Sequence, residues 1–155
     1  MAAVIALDAA RFVIPNWLNG ALLALFPLIA LFVPTSFDWL AALYLFVALF
    51  VAGFALFSLN IMGGGDVKLL AVLGLYIGWS KLAVEFVIIM SLIGGALTLI
   101  LLLLRVVMPA LCNRLGMKSI PKILTIGAPI PYGIAIAGSF LVLLWSRVLP
   151  VFVTG

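Results

Sequence analysis

An aspartate that directly follows three glycines is the feature of this sequence best suited to chemistry. Gly63, Gly64 and Gly65 precede Asp66, and an apolar run over 67–78 follows and predicts a helix. Glycine permits a turn with positive φ and lets a second chain approach the backbone closely. A carboxylate at membrane depth is costly unless it is paired or solvated, so Asp66 is a candidate functional group beside a candidate substrate channel.

Composition indicates a membrane protein and limits the chemistry. Hydrophobic residues make up 68% of the chain and charged residues 8%, whereas a soluble domain has about 25% charged residues. The net charge of +4 is scattered without a basic aromatic face, so we expect the lipid bilayer and not nucleic acid as a partner. With no histidine and only Cys112, the sequence excludes zinc sites of the Cys/His type and Ser–His or Cys–His catalysis. We expect no metal and no cofactor.

Six apolar segments predict an all-α integral membrane protein with about six transmembrane helices and one domain over residues 1–155. Several approach the ~20 residues needed to cross a bilayer. Residues 1–7 lack a basic region and a clear cleavage site, so we expect a short first helix and not a targeting segment. A polar loop is predicted over 105–122. The segments are 1–14, 17–34, 39–60, 67–79, 82–104 and 123–147.

Lysine and arginine predict the orientation. With the N-terminus outside, only Lys81 and Arg147 fall on the outer side, and the positive-inside rule makes the other side cytoplasmic. The basic residues on that side are Arg11, Lys68, Arg105, Arg114, Lys118 and Lys122. Asp8 and Asp66 then share the cytoplasmic face.

Two carboxylates on one face can act as a coupled acid and base. One activates a water molecule while its protonated partner polarises a peptide carbonyl. Structural roles compete with this interpretation, because Asp66 can cap a helix and Asp8 can pair with Arg11, three residues further along.

Three motifs resemble those of the type IV prepilin peptidases, which are GxGD intramembrane aspartyl peptidases. Residues 8–17, DAARFVIPNW, resemble the first-aspartate motif of that family. Residues 63–69, GGGDVKL, resemble its GxGDxKL motif, and residues 129–138, PIPYGIAIAG, its final-helix Pro-Tyr-Gly signature. The motifs follow the family's order and cover nearly the whole chain.

The resemblance implies that Asp8 and Asp66 are the catalytic pair. It further implies removal of the short basic leader of prepilin or pseudopilin substrates after a glycine, at the cytoplasmic side of the inner membrane, in type IV or Flp pilus biogenesis or a related secretion system. The chain lacks the N-terminal methyltransferase region of larger members, so it is similar to the short Flp/Tad-type enzymes. An archaeal-type preflagellin peptidase stays an alternative.

Polar and glycine residues around Asp66 are candidate substrate contacts. For Lys68 the competing role is an interaction with lipid phosphates, because residues i and i+2 of a helix face different directions and the leader is itself basic. For Asn16, as for Asn19 and Asn60, helix capping competes. The candidate substrate-binding residues are Gly63, Gly64, Gly65, Asn16 and Lys68.

Two other classes of function were compared with a peptidase. A small proton-coupled carrier would also have two intramembrane acids and a helix broken by glycine. The C-terminal half has no second GGGD-like break and no mirrored acidic residue, which disfavours a carrier. An assembly subunit would use Asp66 to pair a partner helix, but it would leave Asp8 and the turn at 14–16 without a purpose.

Overall fold

The computed structural model describes residues 1–32, 37–115, 122–125 and 127–146, which are mostly helical. The described residues form six α-helices, which confirms the all-α class; that all six cross the membrane stays a prediction. They are α1 (Ala2–Arg11), α2 (Asn16–Phe32), α3 (Trp39–Ser58), α4 (Gly64–Ile77), α5 (Lys81–Leu115) and α6 (Tyr132–Ser146), with a 3-10 turn at Lys122–Leu124.

Two of the described helices are long and apolar enough to cross a membrane. They are α3 and the stretch Lys81–Pro109 of α5. Large apolar side chains stand exposed along both, for example Val51 and Leu103, which suits contact with lipid and indicates a membrane protein. The helices α2 and α6 are apolar but shorter. With 10 and 14 residues, α1 and α4 extend only roughly 15 Å and 21 Å.

The short helix α4 forms the centre of the fold. It packs against α2, α3 and α6, so nearly every side chain along it is buried. Such a helix is apolar all round and has no polar face. Close contact with α3 depends on Gly74, where an added Cβ would lie 3.1 Å from Leu49 Cδ1. Small residues of this kind let two helices approach each other.

The helix α5 is longer than the sequence predicted. It runs on to Leu115, so the predicted loop start at residue 105 is wrong. Pro109 lies inside the helix, although an interior proline removes one backbone hydrogen bond and its ring crowds the carbonyl of residue i−4. A 35-residue helix is roughly 50 Å long, whereas a bilayer core is about 30 Å thick. The remainder of the predicted loop over 116–121 lies outside the described residues.

Candidate active site

Asp8 lies near the end of α1, where the chain turns toward α2. The helix ends at Arg11, and its C-cap Phe12 has φ 55° and donates its backbone N–H to the Asp8 carbonyl. The Asp8 side chain is only 2% exposed. Its Oδ2 accepts a hydrogen bond of 3.1 Å from the backbone N–H of Ile134. Because the first amides of a helix have no partner within the helix, the start of α6 suits a carboxylate. The competing pair with Arg11 is not formed.

Asp66 is the third residue of α4 and is 8% exposed. Its carboxylate bonds back to the amide of Gly63, which is the N-cap of the helix. This contact is one half of a capping box, because Gly63 has no side chain to bond the Asp66 amide in return. Asp66 thus caps its own helix, as the competing interpretation proposed. The helix begins at Gly64, three residues earlier than predicted.

The two aspartates meet at the first turn of α6. Both carboxylates lie close to the backbone amide of Gly133. An added Cβ at Gly133 would lie 2.7 Å from Asp8 Oδ2, so only glycine fits without displacing the carboxylate. The structure therefore brings together the two carboxylates that the sequence singled out.

The glycines before Asp66 serve close packing in the structure. The expected positive φ is wrong for them, because the described glycines with positive φ are Gly78 and Gly127. At Gly65 an added Cβ would lie 3.0 Å from the carbonyl oxygen of Ile14. The turn between α1 and α2 thus rests directly on the start of α4, one residue before Asp66.

A cleft of about 510 Å³ opens beside Asp66. Of the three glycines, Gly63 lines it, while Gly64 and Gly65 do not. The residues along the cleft are Phe12, Phe57, Asn60, Ile61, Met62, Gly63, Asp66, Arg105, Ala128, Pro129, Ile130 and Tyr132. An extended peptide could therefore reach the Asp66 carboxylate from this side.

Arg105 is a component of this cleft that the sequence analysis treated only as a topology marker. It lies within α5 and is 6% exposed. Its Nε donates to the carbonyl of Ile123 at 3.1 Å, and its Nη2 donates to the carbonyl of Pro129 at 3.2 Å. The arginine thereby ties the segment before α6 to α5. The sequence did contain a signal for this position, because apolar residues lie on both sides of Arg105 and indicate that it is inside a helix.

Asn16 and Lys68 lie away from the cleft beside Asp66. Lys68 Nζ donates to Asn16 Oδ1 at 2.8 Å, and both side chains are exposed. They line a second cleft, of about 220 Å³, between α2, α3 and α4. Asn16 and Lys68 therefore line a different cleft from the one beside Asp66.

Comparison with known proteins adds one finding to this geometry. A family model described as the type IV leader peptidase family matches residues 1–103. The match includes both aspartates and the glycines, and it ends before Arg105 and α6. No curated protein and no solved structure matches the chain. Among the described residues, no group of three His, Cys, Asp or Glu side chains is placed to hold a metal ion.

Proposed function

Because this chain belongs to the type IV leader peptidase family, we propose that it is an aspartic endopeptidase that removes the short basic leader of prepilin-like proteins. Cleavage follows a glycine at the cytoplasmic face of the inner membrane and serves type IV or Flp pilus biogenesis or a related secretion system. The observation that supports this proposal best is the pair of buried carboxylates at the start of α6, beside an open cleft. The peptidase is a single membrane domain over residues 1–155.

The mechanism assigns a different role to each aspartate. Asp8 accepts backbone N–H groups from the first turn of α6, and such donors favour the ionised carboxylate. Asp8 is then the base that takes a proton from the attacking water molecule. Two close carboxylates do not both ionise easily. Asp66 also lies beside backbone N–H groups, but it lines the cleft that would receive the scissile peptide, so it takes the role of the protonated partner. It donates a hydrogen bond to the scissile carbonyl oxygen.

In the remaining steps, the two aspartates exchange protons with the substrate and return to their starting protonation states. Water adds its oxygen to the carbonyl carbon, and the carbonyl oxygen receives the Asp66 proton. The tetrahedral intermediate collapses when the proton held by Asp8 passes to the leaving amine and the C–N bond breaks. Asp66 recovers its proton as the new carboxyl group forms. The cycle uses only carboxyl groups and water.

Leader cleavage is tested directly with a substrate pair. The chain is co-expressed with a prepilin-like protein whose basic leader ends in glycine, and with a variant in which valine replaces that glycine. We expect the first substrate to lose the leader mass in intact mass spectrometry and the second to keep it. Uncleaved substrate, combined with proton flux into liposomes that contain the purified chain, would instead support the carrier alternative.

The proposed orientation predicts the labelling of two serines. Both are exposed, and they lie at opposite ends of the helical bundle: Ser58 ends α3, and Ser80 precedes α5. In a Cys112→Ala background, an impermeant thiol reagent added to intact cells should modify Ser80→Cys and leave Ser58→Cys unmodified. Both should react after the membrane is permeabilised. The reverse pattern would place the aspartates at the outer face and contradict cytoplasmic cleavage.

A further inference from the structure

The second cleft combines a charged mouth with apolar walls. Lys68 and Asn16 form the mouth, where the lysine Nζ is held 2.8 Å from the asparagine Oδ1. Asn16 is neutral, and Lys68 forms no ion pair with a carboxylate in the described part of the chain. Its positive charge is therefore available to an anion. The walls are Gly20, Leu23, Phe46, Phe50, Ala71 and Val72.

Asn19, whose side chain contains a buried polar atom, is among the residues that line this cleft. The side chain is 4% exposed, and its Nδ2 donates to the carbonyl of Gly65 at 3.0 Å. Its Oδ1 is buried and has no hydrogen-bond partner among the described residues. A buried acceptor without a partner costs about 1–3 kcal/mol. A bound group with an O–H or N–H would satisfy it.

The apolar walls of this cleft indicate that a ligand with an anionic group and a hydrogen-bond donor would also have a hydrocarbon part. Leu23 and Phe50 are exposed, and the rings of Phe46 and Phe50 stack along α3 with centroids 6.3 Å apart. Since α3 is one of the helices suited to crossing a membrane, its exposed apolar surface suits an acyl chain. The cleft thus fits an amphiphile with an anionic group, a hydrogen-bond donor and a hydrocarbon tail.

We propose that this cleft binds a phospholipid of the phosphatidylglycerol class. The phosphate interacts with Lys68 Nζ, a headgroup hydroxyl donates toward Asn19 Oδ1, and an acyl chain lies against Phe46 and Phe50. Asn19 then links the lipid to the Gly65 carbonyl, one residue before Asp66. This site is separate from the cleft proposed to bind the leader, and its occupancy does not require cleavage.

The amount of lipid retained by the purified protein measures binding at this site independently of catalysis. The full chain, purified in detergent, is incubated with phosphatidylglycerol, with phosphatidylcholine of the same acyl chains or with inorganic phosphate, and bound mass is read by native mass spectrometry. We expect retention of phosphatidylglycerol above the other two, because phosphatidylcholine lacks the donor and phosphate lacks the tail. Equal retention of the two lipids, or displacement of phosphatidylglycerol by inorganic phosphate, would overturn the proposal.

Two lysine variants localise the binding. Lys68→Gln should lower phosphatidylglycerol retention by at least about fivefold, which corresponds to roughly 1 kcal/mol. Lys81→Gln is the matched control, because Lys81 is also exposed but begins α5, outside the cleft. It should retain the lipid as the unmodified chain does. Equal retention by both variants would contradict the site. Asp66→Asn should bind lipid normally, so failure of the peptidase proposal leaves this measurement intact.

Discussion

Replacement of either Asp8 or Asp66 with asparagine is expected to abolish leader cleavage. Each substitution preserves size and removes one half of the acid–base pair, and a positioned acid or base contributes roughly 10²–10⁴-fold to a rate. Asparagine still accepts the N–H of Ile134 or Gly63 through its side-chain oxygen, so the helices should keep their places. The processed fraction of a co-expressed prepilin-like substrate, followed over time by gel shift, measures the loss.

Asp38→Asn is the matched control for these two variants. Asp38 is the N-cap of α3, where its side chain accepts the N–H of Ala41 at 2.9 Å. Asparagine caps a helix as well as aspartate does, so cleavage by this variant should be nearly unchanged. All three variants should reach the membrane fraction in equal amounts. If Asp8→Asn or Asp66→Asn cleaved the substrate at a normal rate, the mechanism with two aspartates would be wrong.

Gly133→Ala is expected to reduce cleavage nearly as much as loss of a carboxylate. The added methyl group would lie 2.7 Å from Asp8 Oδ2 and 2.7 Å from Ile14 Cδ1. Real Cβ contacts do not become so short, so the Asp8 carboxylate must move away from the amides at the start of α6. A shift of about 1 Å at a catalytic group can cost roughly 10²-fold in rate. Initial rates of leader removal, normalised to protein in the membrane, measure the effect.

A substitution at Gly138, a second glycine of α6, distinguishes an effect on the geometry of the site from an effect on helix stability. At Gly138 the nearest atom to an added Cβ is Ile93 Cδ1 at 4.0 Å, so alanine fits there. Alanine within a helix is favoured over glycine by about 1 kcal/mol. Gly138→Ala should therefore cleave normally and be at least as stable to heat. Equal activity of the two alanine variants would mean that the start of α6 does not position Asp8.

The sequence by itself determined the number of helical segments and their approximate positions, and it singled out the aspartates. Helix formation depends on hydrogen bonds between residues four apart and on local apolar content, both of which can be read along the chain. An acidic residue beside Gly65 in so apolar a sequence is conspicuous for the same local reason. The predicted end of α5 was wrong because Pro109 is a strong local signal for a helix break. In the structure the residues on both sides of the proline are helical, and the helix continues through it.

Only the tertiary structure decided what surrounds the carboxylates. The bond from Ile134 to Asp8 joins residues 126 positions apart, and no local pattern specifies which helix start faces which carboxylate. The same holds for Arg105, whose partners are carbonyls of a distant segment. Lys68 is only two residues from Asp66, yet it lines another cleft, because successive helix positions turn by about 100°. Neighbouring residues on a helix therefore reach different sites, and packing between helices decides which residues meet.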